Sequence, residues 1–292
     1  MASQYTDDLR LAHVLADDAD SLTTARFKAL DLHVMTKPDL TPVTDADTSV
    51  EDGIRRTLSR ARPRDAVLGE ESGTTGHSQR QWVIDPIDGT KNFVRGVPVW
   101  ATLIGLMVDG EVVVGVVTAP QLNRRWWASA GDGAWTGKSL LRAARCQVSD
   151  VSRLEDASLS YSSMGGWDER GRLDDFLSLS RRCWRTRAYG DFWSYMLLAE
   201  GAVDIAAEPE LELHDMAALD VIVREAGGLF TSLEGEAGPH GGNALATNGR
   251  LHDQALAFLG SLPDDTGELA RRGAGSVHEL SARRRPAGDD AD

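Results

Sequence analysis

Cysteine is nearly absent. Cys146 and Cys183 are the only two in 292 residues. That excludes a disulfide framework and a thiolate zinc site, both of which need several cysteines at short regular spacings. The pair reads as two free thiols in a reducing compartment. Long apolar runs are missing as well, and no stretch approaches the roughly 20 residues that a membrane span requires. The first residues are acidic and amphipathic, unlike a secretory leader with its basic start and apolar core. The expected location is the cytoplasm, with no membrane partner. Positive charge is scarce: 31 Lys+Arg face 45 Asp+Glu, giving a net charge of -14. Nucleic-acid affinity is built mainly from Lys and Arg at phosphates, so no nucleic-acid partner is expected, although a local basic patch stays open. The remaining composition, 41% hydrophobic and 26% charged, is that of a chain able to bury a substantial core.

Leu9, Ala12, Leu15, Ala16, Ala19, Leu22, Ala25 and Leu30 recur at mostly helical spacing and predict a long amphipathic helix over 7–30. Two prolines, Pro38 and Pro42, exclude its continuation through 36–42. Val50, Ile54 and Leu58 mark a second helix, with Asp47, Thr48 or Ser49 as candidate N-caps. Short strands are expected at 81–85, 99–108, 111–118 and 124–129, the middle two joined by the hairpin signal Asp109-Gly110. Residues 131–135 read as a turn. Further on the pattern alternates. Strands at 157–162, 187–189, 203–207, 228–232 and 244–247 are interleaved with helices at 169–182, 191–200, 216–226 and 251–261. The fold class is therefore α/β, an α+β sub-domain (1–150) followed by an α/β sub-domain (151–262). The remaining 263–292, rich in Pro, Gly and charge blocks, reads as a solvated, disordered tail.

Four acidic features stand where strands or loops end: Asp45 and Asp47, Glu70-Glu71, Asp85 with Asp88, and Asp215. The most informative is Asp85-Pro86-Ile87-Asp88-Gly89-Thr90. An apolar strand leads into Asp85, and a helix can start after Gly89, where free N–H groups and the helix dipole favour an anion. Two carboxylates about 4 Å apart at an effective dielectric of about 20 repel by roughly 4 kcal/mol. A divalent cation removes that conflict and can bridge carboxylate to phosphate. An isolated Asp-Gly is usually a turn; the whole string favours metal plus phosphate. Glu70-Glu71 alone would be a solvated surface, and Asp215 alone a helix cap. An all-oxygen donor set without a His or Cys cluster points to Mg²⁺ or Mn²⁺ rather than zinc.

Together, Gly69-Glu70-Glu71-Ser72, Asp85-Pro86-Ile87-Asp88-Gly89-Thr90, Asp215 with the small residues after it, and Glu225-Ala226-Gly227-Gly228 resemble the inositol-monophosphatase-like family of Mg²⁺-dependent phosphatases, over about residues 7–260. Where the family usually has Trp before the last metal-binding Asp, this chain has His214. The resemblance implies a layered αβαβα sandwich, often a homodimer, acting on a small phosphate monoester. It implies that Glu70, Asp85 and the Ile87 carbonyl bind a first metal, and that Asp85, Asp88 and Asp215 bind a second. Glu70 would also help to hold a weaker third. Asp47 and Thr90 would orient the attacking water, Gly89 and Thr90 would donate backbone N–H groups to the phosphate, and Lys37 would lie near a mobile loop by the metals. Lithium inhibition is implied too.

Substrate choice should lie in the second half. Arg187-Ala188-Tyr189-Gly190-Asp191-Phe192 places Asp191 between a strand and a helix, and Glu208 precedes Asp215 by seven residues. By the resemblance Glu208 contacts the alcohol part of the substrate, and Arg187, Asp191 and Asp88 complete the candidate substrate contacts. Two acidic groups favour a cationic ligand, whose hydrogen bonds to them are charged on both sides, over an uncharged polyol, although Asp191 could instead cap its helix. With Thr36-Lys37-Pro38-Asp39 and the segment around Arg95-Gly96, the string is similar to the histidinol-phosphate phosphatase branch of the family, of actinobacterial type. The alternatives are an inositol-1-phosphate or broad sugar- or nucleotide-phosphate phosphatase on the same site, and a regulatory protein-binding module on the same fold.

Overall fold

The architecture follows from three apolar layers. In a computed structural model of the chain, which describes residues 4–38 and 40–260, helix α1 (Thr6–Arg26) buries Ala12, Leu15, Ala16 and Ala19, an i, i+3, i+4, i+7 stripe. Helix α2 (Asp45–Ala61) lies beside it and buries Val50, Ile54 and Leu58. The two helices cover one face of an eight-stranded sheet through Trp82, Ile84, Ile104, Leu106, Val114 and Val116. That sheet contains β3 (Ala66–Gly69), β4 (Gly73–Thr75), β5 (Arg80–Asp88), β6 (Ala101–Val108), β7 (Glu111–Ala119), β8 (Arg124–Ser129), β9 (Gly133–Ser139) and β10 (Arg142–Arg145). Its order is β10-β9-β8-β7-β6-β5-β3-β4, antiparallel except for β3 with β5. A separate ribbon pairs β1 (Val34–Thr36) with β2 (Pro42–Thr44).

The other face of the large sheet presents Val83, Leu103 and Val117 to α6 (Asp191–Ala199) and α7 (Leu213–Glu225). Helix α7 sits very close, because a Cβ on Gly115 would stand 2.7 Å from the Ala218 carbonyl oxygen. Below these helices lies a five-stranded sheet ordered β12-β11-β13-β15-β14. Its strands are β11 (Ser158–Ser160), β12 (Arg185–Arg187), β13 (Ile205–Glu208), β14 (Leu229–Thr231) and β15 (Ala244–Thr247). Its outer face carries Leu159, Ile205, Ala207 and Leu245 against α4 (Met164–Glu169), α5 (Leu173–Arg182) and α8 (His252–Leu259). The stack is an αβαβα sandwich of α/β class, as expected, and the described residues fall within one compact unit. No helix among them is long and apolar enough to cross a membrane.

Several boundaries differ from the sequence reading. The first helix stops at Arg26, since Lys28 takes a left-handed φ of 61°. The N-cap of α2 is Thr44, earlier than expected. Its hydroxyl accepts from Ala46 N, and Asp47 reaches back to Thr44 N in a capping box. The helix expected over 169–182 begins only at Leu173, as α5, after Gly171 takes a φ of 66°, and a separate helix that was not expected, α4, precedes it and ends at Glu169. Residues 131–135 are a turn only as far as Asp132, and Gly133 already opens β9. The strand expected at 187–189 lies at Arg185–Arg187. The tail expected at 263–292 lies outside the described residues.

Candidate active site

Strand β5 runs on through Asp88, beyond the expected end at Asp85. In a regular strand, residues three apart point to opposite faces. Here the register against β6 shifts: Asp85 faces Leu103 while Asp88 faces Ala101, three steps opposite two. This bulge, at Pro86, changes the parity and turns both carboxylates to one side. The Pro86 carbonyl is held by the Thr102 hydroxyl at 2.7 Å.

Asp215 arrives from the first turn of α7. Its Oδ2 accepts Glu212 N–H at 2.7 Å, and its partner in that capping box, Glu212, is the N-cap. Asp85, Asp88 and Asp215 thereby offer oxygens that all lie within 4.8 Å of one another. Asp85 Oδ1 is buried without a hydrogen-bond partner. Burial, then the charges of Glu70, Asp88 and Asp215, hold the Asp85 carboxyl well above the usual carboxylate range. Burial, then Asp191 and Asp215, does the same to Asp88. A hard cation fits this group: the donors are all oxygen, one is buried and unsatisfied, and their mutual repulsion calls for a positive charge. Glu70 lies beside Asp85, with its Oε1 bonded to Lys37 Nζ at 2.6 Å. Lys37 also pairs with Glu71 at 2.8 Å.

Next to the carboxylates, Thr90 Oγ1 donates to the Ile87 carbonyl at 2.9 Å and stands 3.4 Å from Asp47 Oδ1. Asp47 Oδ2 takes the Thr44 hydroxyl at 2.5 Å and the Thr44 N–H at 2.8 Å. Burial pushes the Asp47 carboxyl up to about 6, against the lowering pull of those hydrogen bonds. Gly89 caps α3 (Thr90–Arg95) with φ 84°. A Cβ there would meet Asp191 Oδ2 and Val99 O, each at 3.2 Å. The first N–H groups of α3 have no acceptor within the helix.

The cavity, about 710 Å³ in all, is also lined by Ser162, Asp191, Tyr195, Glu208 and His214. Asp191 opens α6 with φ 48° and does not cap it. Instead its Oδ2 takes Asn92 Nδ2 at 3.2 Å, and its N–H donates to Ser162 Oγ at 3.0 Å. Ser162 donates in turn to Glu208 Oε2 at 2.5 Å. Phe192 N–H donates to Asp88 Oδ2 at 2.6 Å, tying α6 to the acidic cluster. Burial raises Asp191 to about 6 and Glu208 to about 8. His214 Nε2 lies 3.6 Å from Asp215 Oδ1.

The structure thus brings Asp47, Glu70, Asp85, Ile87, Asp88, Gly89, Thr90, Asp191, Glu208 and Asp215 around one cavity and its wall. It does not bring Arg187, which is exposed, with Nη1 on the Thr186 carbonyl. Sequence reasoning missed Asn92, Ser162 and Tyr195. Only folding joins Ser162 to Glu208 across 46 positions, so no local pattern announces them.

The model of the inositol monophosphatase family matches residues 8–262. Among curated relatives, the histidinol-phosphatase of Streptomyces coelicolor is 65% identical over 87% of this chain and 97% of its own. The histidinol-phosphatase of Mycobacterium tuberculosis is 61% identical over 87% of this chain and 98% of its own. Among solved structures, an inositol monophosphatase from Zymomonas mobilis superposes with a TM-score of 0.78 at 32% identity, covering 88% of this chain and 99% of the other.

Proposed function

The chain belongs to the inositol monophosphatase family, and from that premise we propose that it is a Mg²⁺-dependent phosphomonoesterase that hydrolyses L-histidinol phosphate to L-histidinol and phosphate. The observation that carries the metal chemistry is the convergence of Asp85, Asp88 and Asp215, with Asp85 Oδ1 left unpartnered. The substrate rests on the likeness to two histidinol-phosphatases and on two further acidic groups, Asp191 and Glu208, that line the same cavity.

Glu70, Asp85 and the Ile87 carbonyl would hold one Mg²⁺, and Asp85, Asp88 and Asp215 a second. A weaker third would sit by Glu70, and Mn²⁺ would substitute. When bound, such ions polarise a phosphoryl oxygen and neutralise charge on the leaving oxygen. The N–H groups of Gly89 and Thr90 receive phosphoryl oxygens at the start of α3. The Thr90 hydroxyl, fixed beside Asp47 and the Ile87 carbonyl, holds the attacking water, and Asp47 is placed to take its proton through Thr90 Oγ1.

From the second half of the chain, Asp191 and Glu208 line the same cavity and would face the alcohol part. A cationic amine or imidazolium arriving there favours their ionised forms and pairs with them charge to charge, an attraction that a neutral polyol hydroxyl lacks. Residues 1–150 thus supply most metal ligands, and 151–262 the specificity groups and Asp215. We place the enzyme in the cytoplasm as a homodimer, with lithium as an inhibitor.

The test is phosphate release from L-histidinol phosphate, inositol 1-phosphate and a panel of sugar phosphates. With Mg²⁺ the first should be turned over fastest, chelator should abolish the activity, and Ca²⁺ alone should not restore it, because Mg²⁺ sites demand tighter octahedral geometry. Equal turnover of inositol 1-phosphate would replace this substrate with the polyol alternative.

A further inference from the structure

The Glu51 side chain is fully buried, yet it is not part of the cavity wall. It stands on α2 one turn after Asp47, so the two carboxylates share a helix face. Its Oε2 accepts Glu71 N–H at 2.8 Å, and its Oε1 accepts Ser72 N–H at 3.0 Å and Arg55 Nε at 2.7 Å. Arg55 continues the grip. Its Nη2 donates to the Gly73 carbonyl at 2.5 Å and its Nη1 to Thr75 Oγ1 at 2.9 Å. The strand end is packed onto this carboxylate without spare room, since a Cβ on Gly69 would lie 2.3 Å from Glu51 Cδ. Glu51 and Arg55 therefore hold the β3–β4 turn just beyond Glu70, the residue that reaches Asp85 and Lys37.

A buried ion pair is weak evidence for stability, because desolvation offsets much of its attraction. Its geometry here has a clearer use. Helix α2 carries Asp47 toward Thr90 and, one turn on, fixes the turn that carries Glu70.

We propose that Glu51 and Arg55 are positioning residues for the metal centre: they set where Glu70 stands relative to Asp85 and Asp47, and so set the affinity for the divalent ion. This rests on the metal-site reading above. Partners that orient a metal's ligands typically contribute 10–100-fold in affinity.

The experiment is calorimetric titration of Mg²⁺ into the substrate-free full chain, comparing wild type with Glu51→Gln and Arg55→Gln. Position and charge give opposite signs for Arg55→Gln. Loss of its positive charge leaves the Glu51 carboxylate unbalanced near the site, which by charge alone tightens cation binding. Loss of its grip loosens Glu70 and weakens binding. The expected result is an affinity weakened about tenfold or more in both variants, with kcat at saturating Mg²⁺ close to wild type. Unchanged or tighter binding by Arg55→Gln overturns the proposal. Gly69→Ala keeps both side chains but displaces the strand end, and it supplies the same reading if either polar variant fails to fold: weaker binding supports the proposal and unchanged binding overturns it. A wild-type chain that binds no Mg²⁺ overturns the metal-site reading as well, an outcome distinct from unchanged affinity in the variants.

Discussion

Asp191 pairs an uncommon backbone with a side chain that we propose contacts the substrate. Its φ of 48° is left-handed, a region that Asn and Asp enter more readily than other residues bearing a Cβ. Asn at this position keeps both shape and backbone and removes only the charge. Asp191→Asn is expected to lower kcat/KM for L-histidinol phosphate by roughly ten- to a hundredfold, the scale of one hydrogen bond to a charged group, and to change inositol 1-phosphate turnover much less. Steady-state kinetics on both esters check this; an unchanged ratio would remove Asp191 from the specificity argument. At this scale the sequence was informative wherever chemistry is local. Asp85, Asp88 and Gly89 stand in one string, and Asp191 follows a glycine between a strand and a helix. Glu51 does not stand out in the sequence, because an acid inside a helix usually faces water. Helical arithmetic contained the clue: positions 47, 50, 51, 54 and 58 share one face, and three of them are Val, Ile and Leu.

Among the elements, those with strong periodicity or turn chemistry were legible. The hairpin at Asp109-Gly110 forms as expected, with both residues at positive φ. The alternation of strands and helices after residue 157 was also readable, although boundaries moved. What escaped was irregularity whose cause is tertiary. The bulge between Asp85 and Asp88 is hinted at only by Pro86, yet it decides that both carboxylates share a cavity. The β1–β2 ribbon lies in a stretch that two prolines mark simply as non-helical. The short helix α4 was not expected, and Gly171, with its positive φ, moves the start of α5 from 169 to Leu173.

For the whole molecule, gathering more acids than the nearby Lys37 and His214 can balance has a consequence for stability. Burial raises Asp47 to about 6, Asp191 to about 6 and Glu208 to about 8, and lifts Asp85, Asp88 and Asp215. Above the ordinary carboxylate range the folded chain retains protons that the unfolded chain has released, so stability falls as pH rises through the folded values. Metal-free protein should therefore melt at a lower temperature at about pH 8.5 than at about pH 5.5. Mg²⁺ bound as proposed would take the place of those protons, so its stabilising increment should be larger at the higher pH. Thermal melts with and without Mg²⁺ at both pH values check the sign. An increment independent of pH would mean that the ion does not bind at these carboxylates.

The most direct measurement is an anomalous-difference map from a crystal soaked in Mn²⁺, a scatterer suited to the same oxygen donors. One peak should be shared by Asp85, Asp88 and Asp215, and another should lie between Asp85, the Ile87 carbonyl and Glu70. Manganese bound elsewhere, with those carboxylates left unliganded, would contradict the proposed metal site.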